Sequence, residues 1–443
     1  MAEYTIADIQ ERLADAERAN KQAKDNTVKL QQTFLRAQAQ TMASSGQLSE
    51  AAAIKSLKHH EAMKRAHQQL RNLMSRSKQG SGGLAMIKVP AKPPSATPIE
   101  AQEPLAQQPP PPIEYRVVLD SQEIESALLV HNAKHYGQAK ETPFGHAPLY
   151  DLLGTDGTSD FCKQVLDGNY DSAIDLDSTS QELRLMLDQL KRKELPPISA
   201  NIQYSDFVQG LRSWPEKTST SPSGRHLGHY KSLLVKSDDA KSTKLLKTHH
   251  QMTLLAVLRA RPYERWCRDL EVMLEKEPGN PLLHRLRIIC LYEADYNLYL
   301  KQMCAKRAVR HAEDHNCLGN EQGGSRPNRS AIDVANMKAL TYAFARLSKT
   351  GLGIFDNDAK SCFDRTMAAL ALIYCIALGM PDAPCQIHGQ AISKMKHYVK
   401  TLQGTSQNYY SNALNGPLFG SGQGSGGSPS LWLFMWVALA AAL

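Results

Sequence analysis

Gly353–Arg365 reads GIFDNDAKSCFDR, and this stretch decides the fold class. An apolar, strand-like run from Gly351 ends in acids at Asp356 and Asp358. A strand fixes the backbone and projects a carboxylate from its C-terminal tip, where a hard divalent cation can sit. Phosphoryl transfer through two metal ions needs such an Asp, with further carboxylates and the substrate phosphates completing the shell. An Asp at a strand end also serves as a turn former or helix cap, so these residues alone leave both roles open. Phe363–Gly379 continues as a helix that is apolar nearly all round, hence buried.

Downstream, Gly420–Trp432 reads GSGQGSGGSPSLW, a glycine-dense turn before a helix start marked by Ser428-Pro429. Such a turn presents backbone N–H groups and the positive end of a helix dipole, which suits a phosphate or a base-paired nucleotide. The Gly-Lys-Ser/Thr ending of a P-loop is absent, and a plain flexible loop fits the same composition. Upstream, residues 272–300 read VMLEKEPGNPLLHRLRIICLYEADYNLYL, two β-prone stretches about a Pro-Gly turn and then a helix. Glu321–Asp333, EQGGSRPNRSAID, is a basic Gly-rich turn running into a helix through about Arg346. Thr218–Tyr230, TSTSPSGRHLGHY, is a polar loop leading into a helix, with no evident chemistry of its own.

In this order the blocks resemble the motif series of reverse transcriptases of the non-LTR, LINE-like branch, over about residues 220–443. LEKEPGNPLLHRLRIICLYEADYN resembles the fingers hairpin, and QGGSRPNRSAID the fingers block before the palm. DNDAKSCFDR is similar to the first palm motif and QGSGGSPSLW to the second. The resemblance implies an α+β fold, with right-hand polymerase fingers and a partial palm. It also implies RNA-directed DNA synthesis from an RNA template, a DNA primer and dNTPs, with two Mg²⁺ ions. The primer 3′-OH would attack the α-phosphate in line, and pyrophosphate would leave.

Residue roles carry over by position. Asp358 matches the family's catalytic, metal-binding Asp, and Ala359 would add its backbone carbonyl to the second metal. Phe363 matches the aromatic gate beneath the incoming sugar. Gln423 and Gly424 match the motif against the incoming nucleotide and template base. Lys276 and Arg287 fall where the fingers supply cations to the triphosphate, although the usual Arg-Pro-Ile is here Arg-Ile-Ile. Arg326 and Arg329 would either sit by the template strand or cap the fingers helix.

One departure outweighs these agreements. The family's third palm motif, aromatic-x-Asp-Asp, does not occur after Gln423, and no Asp or Glu follows Asp382. Asp358 is then the sole recognisable metal carboxylate where the mechanism wants about three. The 443 residues are expected to be a truncated polymerase, inactive alone.

The rest of the chain is organised around this body. Residues 1–78 read as helical: positions from Ile6 to Ala37 follow the 3/4 spacing of a coiled-coil seam over residues 4–42. A second, basic helix follows, with Lys55, Lys58, Lys64, Arg65, Arg71, Arg76 and Lys78 against Glu61. Residues 79–114, opening on Gly80-Ser81-Gly82-Gly83 and closing on Pro109–Pro112, read as a disordered linker. Residues 115–215 are a mixed α/β extension that opens with a strand and a helix, 216–350 the fingers-like region and 351–443 the partial palm.

A net charge of +8, from 52 basic and 44 acidic residues, is compatible with a nucleic-acid partner without requiring one. The eight cysteines form no C-x-x-C pair and no zinc-spaced set, so reduced thiols in an intracellular protein are expected, nucleus and cytoplasm not being distinguished. There is no secretory leader pattern. The apolar Leu431–Leu443 is shorter than the ~20 residues of a membrane span and reads as a core helix. A second functional reading is therefore a non-catalytic retroelement remnant. It would bind nucleic acid through the basic helix or self-associate through residues 4–42.

Overall fold

The computed structural model describes residues 84–91, 114–171, 180–214, 221–235, 240–353, 359 and 361–442. The coiled-coil-like segment 1–78, the strand-like run into Asp358 and Asp358 itself lie outside the described residues. The described residues all belong to one unit, Ser81–Leu443, and the expected divisions after residues 215 and 350 fall inside it.

Part of the expected linker is a strand. β1 (Ile87–Pro90) pairs antiparallel with β2 (Tyr115–Val118), Ile87 standing opposite Val118. The alternation in Leu84–Val89 explains it: Ile87 and Val89 are buried on one side. Gly-rich and Pro-rich flanks hide this short strand from a reading by composition. The strand and helix expected from residue 115 follow as β2 and α1 (Ser121–Tyr136). Asp120 caps α1 by accepting from Glu123 N–H at 2.9 Å. Ile124, Leu128, Asn132 and Tyr136, four apart, form its buried stripe.

The central sheet has order β4-β3-β5-β6, comprising β3 (Arg268–Glu275), β4 (Leu286–Leu291), β5 (Lys396–Thr401) and β6 (Gly404–Thr405). β3 and β4 are the expected hairpin about Pro278-Gly279, with Glu271 opposite Cys290 and Leu274 opposite Arg287. β5 joins β3 in parallel, with Asp269 opposite His397. Side chains alternate along strands. One sheet face therefore carries Asp269, Glu271, Met273, Ile288, Cys290, His397 and Val399, and α1 covers it through Asn132, whose Nδ2 donates to Glu271 at 2.8 Å. The β3–β4 hairpin and the distant strand β5 thus share one sheet.

Three further helices flank the sheet strands in sequence. α2 (Ala240–Leu258) precedes the sheet. α3 (Ala294–Leu300) follows β4 and runs on through a wide-turned π segment, Lys301–Ala308, into Val309–Asp314. Its N-terminus gives the Thr218–Tyr230 block a role. Ser221 Oγ accepts from Ala294 N–H at 2.8 Å, and Ser223 donates from its N–H and hydroxyl to Glu293 at 2.8 and 2.9 Å. α4 (Ala331–Ser348) starts where Asp333 accepts from the Ser330 N–H at 2.7 Å, and it has no buried residue.

The apolar core lies around α5 (Ala368–Ala377), whose residues from Ala369 to Ala377 are all buried, as its composition predicts. It starts later than Phe363 because Cys362–Asp364 form a 3-10 turn and the Thr366 hydroxyl bonds back to Cys362 O at 2.9 Å. α6 (Asp382–Ser393) and α7 (Ser428–Ala442) pack against it. α7 is the expected C-terminal core helix, with Leu431, Leu433 and Phe434 fully buried. Among the described residues no helix is long and apolar enough to cross a membrane.

Candidate functional site

The glycine-rich loop before α7 ties three distant blocks together. Ser421 N–H donates to Phe363 O and Gly420 N–H to Thr366 O, both at 2.8 Å. Two residues on, Gln423 O accepts from Cys290 N–H at 2.8 Å, extending the edge of β4. Asn297 of α3 donates from Nδ2 to Gly424 O at 3.3 Å and accepts the Gly426 N–H. Close approach requires glycine here: at Gly424 φ is +122°, and a Cβ would stand 2.6 Å from Cys290 O. The N–H groups of Gly420, Ser421, Ser425, Gly426 and Gly427 all donate within the protein. The half-buried Gln423 and exposed Gly424 form the apex that remains open to solvent.

The sheet face away from α1 is basic. Alternation puts Arg268, Arg287, Lys396 and Lys400 on it together with Leu270, Val272, Ile289 and Tyr398, and no acid occupies a strand position there. Arg268 and Arg287 are exposed, while Lys396, Tyr398 and Lys400 are half-buried. Tyr398 packs on Tyr409 with ring centroids 5.3 Å apart, and Lys396 Nζ lies 5.3 Å from the Tyr409 ring. Of these residues the sequence reading finds Arg287 alone. The missed signal is the period of two in Lys396, Tyr398 and Lys400, which marks one face of a strand.

The covered face is acidic. Asp269 and Glu271 are both fully buried. His397 Nδ1 lies 3.1 Å from Asp269 Oδ1 and 3.6 Å from Glu271 Oε1. Glu271 is held by Asn132 and by the Tyr410 hydroxyl, which donates to Oε1. Tyr410 also stacks on His397 at 4.6 Å, and Tyr136 OH lies 3.2 Å from Cys290 Sγ. Burial and the neighbouring Asp269 charge push the Glu271 carboxyl up to about 8. Burial opposes a charged His397, but Asp269 and Glu271 outweigh it and raise its pKa. Beside these groups is a small cavity, about 20 Å³, lined by Tyr136, Cys290, His397, Phe419, Gly420 and Gly422. Nothing in the spacing of RDLEVMLE forecasts this cluster, because His397 comes from a distant strand.

The sequence matches no protein-family model and no curated protein. Phe363 sits in the 3-10 turn against the glycine loop, half-buried, and Ala359, four positions before it, is half-buried as well. Lys276 and Arg287 are exposed on one hairpin. Arg326 is 7% exposed, and its guanidinium is bonded to Glu313 and to the carbonyls of Gly319 and Gln322. That places it as a clamp on the turn after Val309–Asp314, with its donors already engaged. Arg329 is exposed and donates to Asn320 Oδ1 at 3.1 Å.

Proposed function

We propose that residues 216–443 are the fingers and part of the palm of a non-LTR reverse-transcriptase-like polymerase, and that the open basic sheet face receives a template–primer duplex. One observation carries the reading: the glycine loop bonds to Phe363 and Thr366 at one end and to Cys290 of the hairpin at its apex. Three blocks that the resemblance assigns to a single nucleotide site are thereby adjacent. Under this reading Asp358 and the Ala359 carbonyl would hold Mg²⁺, which supplies charge stabilisation for phosphoryl transfer. Phe363 would lie beneath the sugar, Gln423 and Gly424 against the base pair, and Lys276 and Arg287 toward the triphosphate. Arg329 would contact the template strand, whereas Arg326 would act through the Gly319–Gln322 turn.

Within these 443 residues the resemblance assigns one metal carboxylate, Asp358, where two-metal chemistry uses about three. Duplex binding, rather than primer extension, is the activity to expect of these residues by themselves. The test is binding of an RNA–DNA hybrid to the full chain over a salt series. Affinity falls steeply with salt, with each lost phosphate contact reducing the slope by about 0.9. Lys396→Glu with Lys400→Glu weakens binding and flattens that slope. Binding that the pair leaves unchanged removes the sheet face as the interface and passes the role to the basic stretch 55–78.

A further inference from the structure

We propose that Asp269, Glu271, Cys290 and His397 form a binding site for one divalent transition-metal ion of the Zn²⁺ class. The four side chains come from three neighbouring strands and share one sheet face, since Glu271 stands opposite Cys290 and Asp269 opposite His397. One ligand atom from each of Asp269, Glu271 and Cys290 lies within 4.8 Å of the other two. A tetrahedron built on metal–ligand bonds of ~2.0–2.1 Å has edges of about 3.3 Å. His397 Nδ1 lies outside that mutual 4.8 Å set but close to two of its members, 3.1 Å from Asp269 and 3.6 Å from Glu271, so it is the fourth donor nearest to hand.

A second, independent observation points to a ligand. Asp269 is fully buried, yet its Oδ2 has no hydrogen-bond partner, and its Oδ1 has only His397 Nδ1, at 3.1 Å. A buried polar atom without a partner is costly, and more so when it is charged. One cation satisfies the free Oδ2 and replaces the proton between Oδ1 and His397 Nδ1. The adjoining 20 Å³ cavity is lined by two of the four donors and is large enough for an ion or a water. Asn132 and Tyr410 already orient Glu271, in the way outer partners orient metal-binding carboxylates.

The donor set selects the metal. One thiolate, one imidazole and two carboxylates suit Zn²⁺ and its neighbours, whereas Mg²⁺ takes oxygen ligands in octahedral array. On binding, the Cys290 S–H bond breaks, its proton leaves to solvent and sulfur bonds the metal. Any proton held on the carboxylates or on His397 Nδ1 leaves in the same way. The site shares no residue with the Mg²⁺ site expected at Asp358, and it stands whether or not the polymerase reading does.

The experiment uses the full chain, stripped by chelator and titrated with Zn²⁺ or Co²⁺. Elemental analysis should return one ion per chain, and Co²⁺ should give tetrahedral d–d absorption with a thiolate charge-transfer band. Cys290→Ser should abolish the band, and His397→Gln should retain it while weakening binding at least about ten-fold. X-ray absorption on the wild-type protein, showing one sulfur and three nitrogen or oxygen donors, decides in place of any variant that does not fold. A folded wild-type chain that takes up only trace metal overturns the proposal. So does a charge-transfer band that survives Cys290→Ser, since another of the eight cysteines would then be the ligand.

Discussion

The Arg265 guanidinium faces the Asp295 carboxylate through two bonds, Nη1 to Oδ1 at 2.6 Å and Nη2 to Oδ2. Trp266 Nε1 adds a third at 3.2 Å, and His249 Nε2 lies 3.2 Å from Oδ2. Burial would push Asp295 up, but Arg265 and His249 outweigh it and hold the carboxyl well below its usual range. Removing one partner of a buried pair leaves the other charge uncompensated. Arg265→Ala should therefore cost about 3–5 kcal/mol in denaturant unfolding. Combining it with Asp295→Asn should cost clearly less than the sum of the two single changes. Simple additivity would mean that the pair is not coupled.

Two glycines separate steric contact from backbone strain. Gly424 has φ +122°, and a Cβ added there would meet Cys290 O at 2.6 Å, whereas Gly404 has φ +135° and nothing within 4 Å of that position. Gly404→Ala should cost about 1 kcal/mol, from strain alone. Gly424→Ala should cost roughly 2 kcal/mol or more, because the loop also has to leave the β4 edge. Equal losses in parallel unfolding curves would show that the loop does not dock there.

His388 should impose a pH dependence on stability. It is 2% exposed, with Nδ1 2.7 Å from the Tyr296 hydroxyl, and burial lowers its pKa from 6.5 to about 4. Above pH 6.5 this residue is neutral in both folded and unfolded chains and contributes no slope. Between 6.5 and 4 the unfolded chain takes a proton that the folded one refuses. Stability therefore falls as pH falls, by up to about 1.4 kcal/mol per unit, and levels off below 4. His388→Gln should flatten the wild-type slope across that window. Identical slopes in the two proteins would mean that the buried imidazole is protonated in the folded state.

α4 makes an opposite kind of prediction. Leu340, Phe344 and Leu347 are 70%, 69% and 85% exposed, so they bury little on folding of this chain. Leu340→Asp and Phe344→Asp should each shift unfolding free energy by no more than about 0.5 kcal/mol. A loss several times larger would place this helix against a partner surface in solution.

Local features are legible in this sequence and long-range ones are not. Pro278-Gly279 between β-prone runs forecasts the hairpin, and the all-round apolar Ala368–Ala377 forecasts a buried helix, since both depend on short-range pattern. The strand at Ile87–Pro90 escapes notice because its flanks are linker-like and its partner begins beyond the Pro run, at Tyr115. Asp269 and Glu271 look from sequence like the solvated side of an amphipathic strand. Only the arrival of β5 and α1 turns that side inward, and no local spacing encodes their arrival. The glycine loop is legible as a turn into a helix, but not the engagement of most of its N–H groups within the protein.

The parallel pairing of β3 with β5 has a consequence for how the chain is made. When the hairpin emerges from the ribosome, the edge of β3 that will bond Lys396–Lys400 is bare, and its acidic face has no His397 beside it. Sheets closed by such distant segments form slowly and expose strand edges meanwhile. The chain should therefore depend on chaperone protection until Thr401 has cleared the exit tunnel, and a nascent chain stalled before that point should aggregate through β3.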